Sequence, residues 1–354
     1  MANGKFSDLL LNWFDLYGRH DLPWQKNPTP YRVWVSEIML QQTQVQTVIP
    51  FFTKFVRLFP SIKILSEKHL DEVLNSWSGL GYYSRARNLH KAARMIVEEY
   101  GGVMPTTTEE LVGLPGIGKS TAGAIIALAL NQPAAILDAN VKRVLSRYHA
   151  IKAKPETART TKKLWATAEM HVPTRRHRQY TQALMDLGAM VCKKNPICSR
   201  CPYTNSCAAY LSNTTRIFPG SGNKKPSKTK STYIAIIRNR KGEILLERRP
   251  ESGIWGGLWS FPEFEEKNGA ETMILNVLGS VNYYFEQLPP KHHHFTHFKL
   301  ILKPLLFTLI EDDSRLLENN DRIFFKKNSA KTIGTPKPVI DLLSDVWRKN
   351  KEKS

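Results

Sequence analysis

Leu114-Pro115-Gly116-Ile117-Gly118-Lys119-Ser120-Thr121-Ala122 is the stretch whose reading decides the fold. Two glycines one residue apart permit a tight turn between helices. They also leave consecutive backbone N–H groups bare where the second helix starts. Such a helix start binds phosphate without reading base identity. The stretch is not a P-loop, because the Gly-x4-Gly-Lys spacing is not met. Gly-x-Gly at a helix start also serves plain packing, so the surrounding sequence has to decide.

On both sides of this stretch the apolar residues recur with helical spacing. The pattern predicts helices over 6–17, 31–46, 47–59, 68–77, 84–100, 108–113, 119–131, 141–149, 160–171 and 178–191. No run of alternating strands precedes residue 230. Lys plus Arg total 51 against 31 Asp plus Glu, a formal charge of +20 on 354 residues. That excess points to a polyanionic partner, nucleic acid before a membrane surface. The longest apolar run, Ala122–Leu130 broken by Gly123, is too short to span a bilayer. No signal peptide opens the chain, so a cytoplasmic, nucleoid-associated protein with no membrane contact is expected. On so basic a chain, residues 114–122 read best as a helix–hairpin–helix DNA-binding element with Gly116 and Gly118 at the phosphate.

All four cysteines fall between Cys192 and Cys207, spaced Cys192-x5-Cys198-x2-Cys201-x5-Cys207. A secreted disulfide framework would spread them along the chain. Four thiols this close suit zinc or an iron–sulfur cluster. Zinc more often takes two tight pairs, whereas here only one pair has two-residue spacing, which favours a cluster.

Two carboxyls stand out. Glu37 has apolar neighbours at nearly every helical position, Val33, Trp34 and Leu40 among them. Most glutamates sit on solvated faces; one held among such residues has its charged form desolvated and its pKa raised, as a general acid requires. Asp138, in Ile136–Val144, reads first as a helix N-cap. The same position keeps it ionised and able to face a developing positive charge.

Residues 219–231 (PGSGNKKPSKTKS) carry four lysines and no apolar side chain and read as a linker. Beyond them the composition shifts to β-branched and aromatic residues, with strands over 232–239, 243–248 and 298–310 and a hairpin between the first two. A late helix is expected over 341–347, then a charged tail over 349–354.

Together these features resemble the iron–sulfur helix–hairpin–helix DNA glycosylases, and more narrowly the MutY family of adenine DNA glycosylases. The resemblance spans almost the whole chain. It is carried by Leu22–Gln46, Gly79–Arg85 (GLGYYSR), the hairpin, Leu137–Val144 and the cysteines. It implies an α + α/β fold. An all-helical glycosylase domain (1–218, with the cluster loop 192–207) would be followed by the linker 219–231 and a Nudix-like (MutT-like) α/β domain (232–348). The activity implied is removal of adenine mispaired with 8-oxoguanine or guanine, by flipping it out of the duplex.

By the same resemblance Glu37 matches the acid that protonates adenine N7, Asp138 the carboxylate that stabilises the oxocarbenium-like sugar, and Asn140 a residue positioning that site. Ser120 stands where endonuclease III-type enzymes carry a nucleophilic lysine, which implies no Schiff base and a monofunctional enzyme. Gln42, Thr43, Leu80 and Tyr82 map to recognition of the opposite base, Tyr82 as a wedge. Phe295-Thr296-His297 matches the loop that inspects 8-oxoguanine, with Thr replacing Ser. Cys192, Cys198, Cys201 and Cys207 would ligate a [4Fe-4S] cluster, although the first spacing is one residue shorter than the family's usual x6. Ala139 replaces a common glycine and would be strained if its φ were positive.

No Arg-Glu-x-x-Glu-Glu metal-binding core follows Gly257, so the second domain should bind and not hydrolyse. His292–His294 read as a solvated or phosphate-facing loop. The expected partners are double-stranded DNA with such mispairs and a replication clamp or other repair proteins, the chain itself being a monomer. Two other readings are an endonuclease III-like pyrimidine-lesion glycosylase/lyase and a non-catalytic iron–sulfur damage sensor.

Overall fold

The computed structural model describes residues 2–152, 156–220, 228–278, 282–295, 298–310, 318–319, 321–327 and 333–351. The hairpin lies between the helices Thr108–Gly113 and Lys119–Ala129. Thr107 caps the first helix, its hydroxyl accepting from Glu110 N at 3.3 Å. Leu114 and Ile117 are buried and pin the turn from inside. Gly116 sits at φ +81°, and a Cβ there would meet Asn88 Cβ at 3.0 Å, so the turn needs glycine on both counts. Gly118 is the N-cap of the second helix, with no side-chain cap bond and open space beside it.

The chain divides into two units, Met1–Glu67 with Asn88–Lys224, and Lys68–Arg87 with Lys225–Ser354. In the first, the helix Lys119–Ala129 is central. The helices Pro30–Leu40 and His177–Asp186 both pack on it, and His177–Asp186 also packs on Ala2–Tyr17. Its middle is almost wholly buried, from Ala122 to Leu128. At Gly123 an added Cβ would lie 2.2 Å from the carbonyl oxygen of Ala135, so the extended segment before Asp138 runs directly against the helix.

The second unit carries a mixed sheet of β1 (Lys228–Arg238), β2 (Ile244–Arg248), β3 (Trp259–Ser260), β4 (Glu263–Phe264), β5 (Tyr283–Gln287), β6 (Lys291–His294), β7 (Phe298–Leu309) and β8 (Arg322–Phe325). The order is β3-β2-β1-β7-β5; β4 also pairs with β1, β6 with β7 and β8 with β2. β1 and β7 run parallel, from Lys228↔Phe298 to Arg238↔Thr308. As expected of a central parallel strand, Ile234–Ile237 is buried on both faces. The helix Gly269–Leu278 covers one face through Ala270 and Ile274, packed with Ile237, Leu245, Leu305 and Phe307. Lys68–Arg87 belongs to this unit: Asp71 accepts from Arg248 Nη2 at 2.8 Å and from Trp259 Nε1 at 3.3 Å.

Several expectations need correction. Lys228–Ser231, read as linker, begin β1, because strand pairing uses the backbone and needs no apolar side chain. His292–His294, read as a loop, lie in β6 and pair with β7 in antiparallel register. The helix expected over 31–46 stops at Leu40, and the one over 178–191 ends at Asp186 and continues as a π turn, Leu187–Val191. The late helix is longer than expected, Lys337–Lys351. It takes in 349–351 of the expected tail; 352–354 lie outside the described residues. No helix among the described residues is long and apolar enough to cross a membrane.

Candidate active site

Glu37 sits in the helix Pro30–Leu40, which Thr29 caps (its hydroxyl accepts from Arg32 N at 3.3 Å) and Pro30 opens. The helix buries Val33, Trp34, Val35, Ile38 and Met39. This apolar setting leaves Glu37 Oε1 buried with no hydrogen-bond partner. Burial pushes the Glu37 carboxyl from 4.5 up to about 8, and the charge of Asp138 adds to the rise.

Asp138 is the N-cap of the helix Ala139–Tyr148; its Oδ1 accepts from Val141 N at 2.7 Å. Burial raises its carboxyl too, but the amides of Val141 and Asn140, the Arg143 charge and the Asn140 side chain all oppose the rise. Ala139 opens the helix at negative φ, so the strain considered for it does not arise.

Glu37, Thr43, Ser120, Asp138 and Asn140 line one cavity of about 220 Å³. Ser120 Oγ accepts from Leu137 N at 3.0 Å, tying the first turn after the hairpin to the residue before Asp138. Sequence reasoning missed several of the other walls: Arg19, Leu22, Trp24, Gln182 and Met185 also line this cavity. Gln42, beside Thr43 at φ +56°, does not line it. The two amines nearest in sequence are engaged elsewhere. Lys119 Nζ pairs with Glu169 at 2.9 Å over the Trp165 ring, and Lys142 Nζ pairs with Glu156 at 2.5 Å.

Leu80, Tyr82 and Phe295 line a second, larger cavity of about 510 Å³ within the second unit, with Trp255, His293 and Phe298. Tyr82 is 41% exposed at φ +48°, whereas Tyr83 is buried. Both tyrosines line the cavity, Tyr82 as the more exposed of the two. The aromatic rings of Trp255, His293 and Phe295 pack together, with centroids 4.6–5.6 Å apart. Thr296 and His297 lie outside the described residues.

The four cysteines are free and line one small cavity of about 20 Å³. Burial raises the thiols of Cys198, Cys201 and Cys207, and the neighbouring sulfurs add to the rise. Among the described residues no three His, Cys, Asp or Glu side chains form a single-ion site. Four converging thiols still match the donor set of an iron–sulfur cluster, which offers four separate iron corners. Cys192, whose place among the ligands the shortened spacing puts in question, lines this cavity with the other three. The same helix that Asp138 caps holds the loop. Arg143 donates to Asn140 Oδ1, Gly188 O and Cys192 O at 2.6–2.7 Å. Arg147, buried, donates to Lys193 O, Lys194 O and, at 3.3 Å, to Cys192 Sγ.

A family model described as HhH-GPD superfamily base excision DNA repair protein matches residues 35–170, and one described as NUDIX domain matches 233–345. Both expected folds are thereby found. An adenine DNA glycosylase of Buchnera aphidicola subsp. Baizongia pistaciae (strain Bp) is 39% identical over 99% of either chain. An adenine DNA glycosylase of Homo sapiens is 35% identical over 83% of this chain and 65% of its own length. The solved structure of a thermostable thymine-DNA glycosylase superimposes with a TM-score of 0.55 at 30% identity, over 60% of this chain and 99% of that one.

Proposed function

The chain belongs to the adenine DNA glycosylase family, and on that footing we propose that it excises adenine mispaired with 8-oxoguanine or guanine from duplex DNA in base excision repair. The observation that carries this reading is the carboxyl pair: Glu37, held up to about 8, shares one cavity with Asp138 at a helix N-terminus.

Adenine is a poor leaving group until its ring is protonated. Glu37, neutral at pH 7, gives its proton to N7 of the flipped base. The C1′–N9 bond then breaks and its electron pair goes to the adenine. Positive charge develops on the sugar, where the Asp138 carboxylate stabilises it. Water adds to C1′, and its proton returns to Glu37. The products are free adenine and an abasic site. Ser120 offers no amine for a Schiff base, and Lys119 and Lys142 are held in ion pairs, which supports hydrolysis without strand cleavage.

Cys192, Cys198, Cys201 and Cys207 would hold a [4Fe-4S] cluster, which when bound cross-links residues 192–207 into a single unit. The bare helix start after Gly118 is the expected phosphate contact. Tyr82, Leu80 and Phe295 are assigned to inspecting the base opposite the adenine.

The test is incubation with duplexes carrying adenine opposite 8-oxoguanine, adenine opposite guanine, and oxidised thymine, each with and without alkali. Cleavage at adenine only after alkali is expected. Alkali-independent cleavage at the pyrimidine, or binding without excision, refutes the reading.

A further inference from the structure

Asp186 is the last residue of the helix His177–Asp186 and has no exposed surface. It does not line the active-site cavity, yet its carboxylate is held by two residues that do. Arg19 donates from its backbone N to Oδ2 at 2.7 Å, and from Nε and Nη2 to Oδ1 at 3.0 and 2.5 Å. Gln182, one turn earlier on the same helix, donates Nε2 to Oδ1 at 2.9 Å. Arg19 and Gln182 both form walls of the cavity that holds Glu37 and Asp138.

A primary amide can face a neighbour with either end, as donor or as acceptor. A carboxylate only accepts, so Asp186 fixes which end of Gln182 faces it. With Nε2 committed to Asp186, the carbonyl Oε1 is left for the cavity. In a purine the substituent on C6 lies beside N7, the atom that Glu37 protonates in the proposed reaction. An acceptor on this wall pairs with a 6-amino group and leaves a 6-oxo group facing oxygen with oxygen.

We propose that Asp186 is the positioning residue that sets the base specificity of this site. By fixing the polarity of the Gln182 amide it admits a 6-aminopurine and rejects a 6-oxopurine. The proposal rests on the adenine-excision reading and deepens it.

The test compares single-turnover excision of adenine and of hypoxanthine opposite 8-oxoguanine. The wild-type protein is expected to prefer adenine. Asp186→Asn, whose amide can donate or accept, lets Gln182 turn over, and the preference should fall at least about tenfold. In the double variant Asp186→Asn/Gln182→Glu, the new amide donates to the new carboxylate, whose other oxygen again accepts from the base. The preference should then return, a recovery that a merely structural role for Asp186 would not give. Asp186→Asn that keeps the wild-type preference overturns the proposal, as does a double variant that fails to regain it. If Asp186→Asn does not fold, Gln182→Leu decides: it leaves the Arg19–Asp186 pair in place, so loss of the preference supports the proposal and its retention overturns it. A wild-type protein that excises no adenine at all overturns the functional reading itself, and this proposal with it; the Asp186 variants alone leave that reading standing.

Discussion

Glu37→Gln should make this protein inactive and more stable at once, and the size of the gain can be worked from the site. The Glu37 carboxyl titrates at about 8 in the folded chain against 4.5 for a free one. The unfolded chain therefore releases this proton first as the pH rises. From that point folding must keep a carboxyl neutral that water would ionise, and stability falls with rising pH between 4.5 and about 8. At about 1.4 kcal/mol per pH unit, the penalty reaches roughly 3 kcal/mol at pH 7. This is an upper figure, since Glu37 keeps partial exposure through the cavity. Glutamine has the same shape and does not titrate, so the variant escapes the penalty while losing the proton that adenine needs. The assay is urea unfolding of both proteins from pH 4.5 to 8.5, read as the difference between them so that other titrations cancel. The difference should be near zero at pH 4.5, grow through pH 7 and level off above 8. Excision should be lost and duplex affinity kept. A difference that does not vary with pH, or a less stable variant at pH 7, refutes the account of Glu37 as a buried neutral acid.

Other expectations follow from neighbouring groups. Arg147→Ala strips the donors from Lys193 O, Lys194 O, Thr215 O and Phe218 O; it should lower stability by at least about 3 kcal/mol and reduce the iron bound per chain, measured by metal analysis and visible absorption. Arg147→Lys should not restore the iron, because an ammonium cannot reproduce the planar fork of donors. His171, buried beside His149 at 2.7 Å, is lowered from 6.5 to about 4 by burial and by the neighbouring ring. Its unfolded form takes up a proton first, so stability should fall as the pH drops below about 6.5, and thermal melts of His171→Phe should lose part of that slope. Tyr82→Ala should leave excision opposite guanine little changed and reduce the preference for 8-oxoguanine opposite adenine by about tenfold, read as the ratio of single-turnover rates.

The sequence made the periodic helices legible wherever an apolar stripe met a recognisable stop. Ser84–Tyr100 and Thr108–Gly113 have the expected bounds. The helix through Glu37 ends early because Gln42 turns left-handed, and glutamine is not a residue that announces such a turn. The helices Ile62–Glu67 and Gly269–Leu278 escaped notice, the first being too short for a period to register. At the site, Glu37 and Asp138 were readable from their immediate neighbours. Arg19 was not, since its role depends on a carboxylate 167 residues away. One signal was available: Gln182 and Asp186 are four apart on a helix that also buries the apolar Tyr180, Ala183 and Leu184, and two polar side chains at that spacing meet inside a core.

The location of the proton follows from backbone geometry more than from residue type. Glu37 and Asp138 are both carboxyls, and burial drives both upward. What differs is the supply of donors. Glu37 lies within a helix, where neighbouring amides are spent on the helix ladder, the side chains of Val33, Trp34 and Leu40 one turn away are apolar and the Ser36 hydroxyl donates to Val33 O, so nothing compensates a charge on its unpartnered oxygen. Asp138 lies at a helix start, where amides have no partners of their own, and those of Val141 and Asn140 turn to it. The anion therefore settles at Asp138, and its field raises Glu37 further. One neutral carboxyl and one carboxylate, the pair that the proposed reaction uses, arise in a single cavity because one carboxyl was placed within a helix and the other at the end of one.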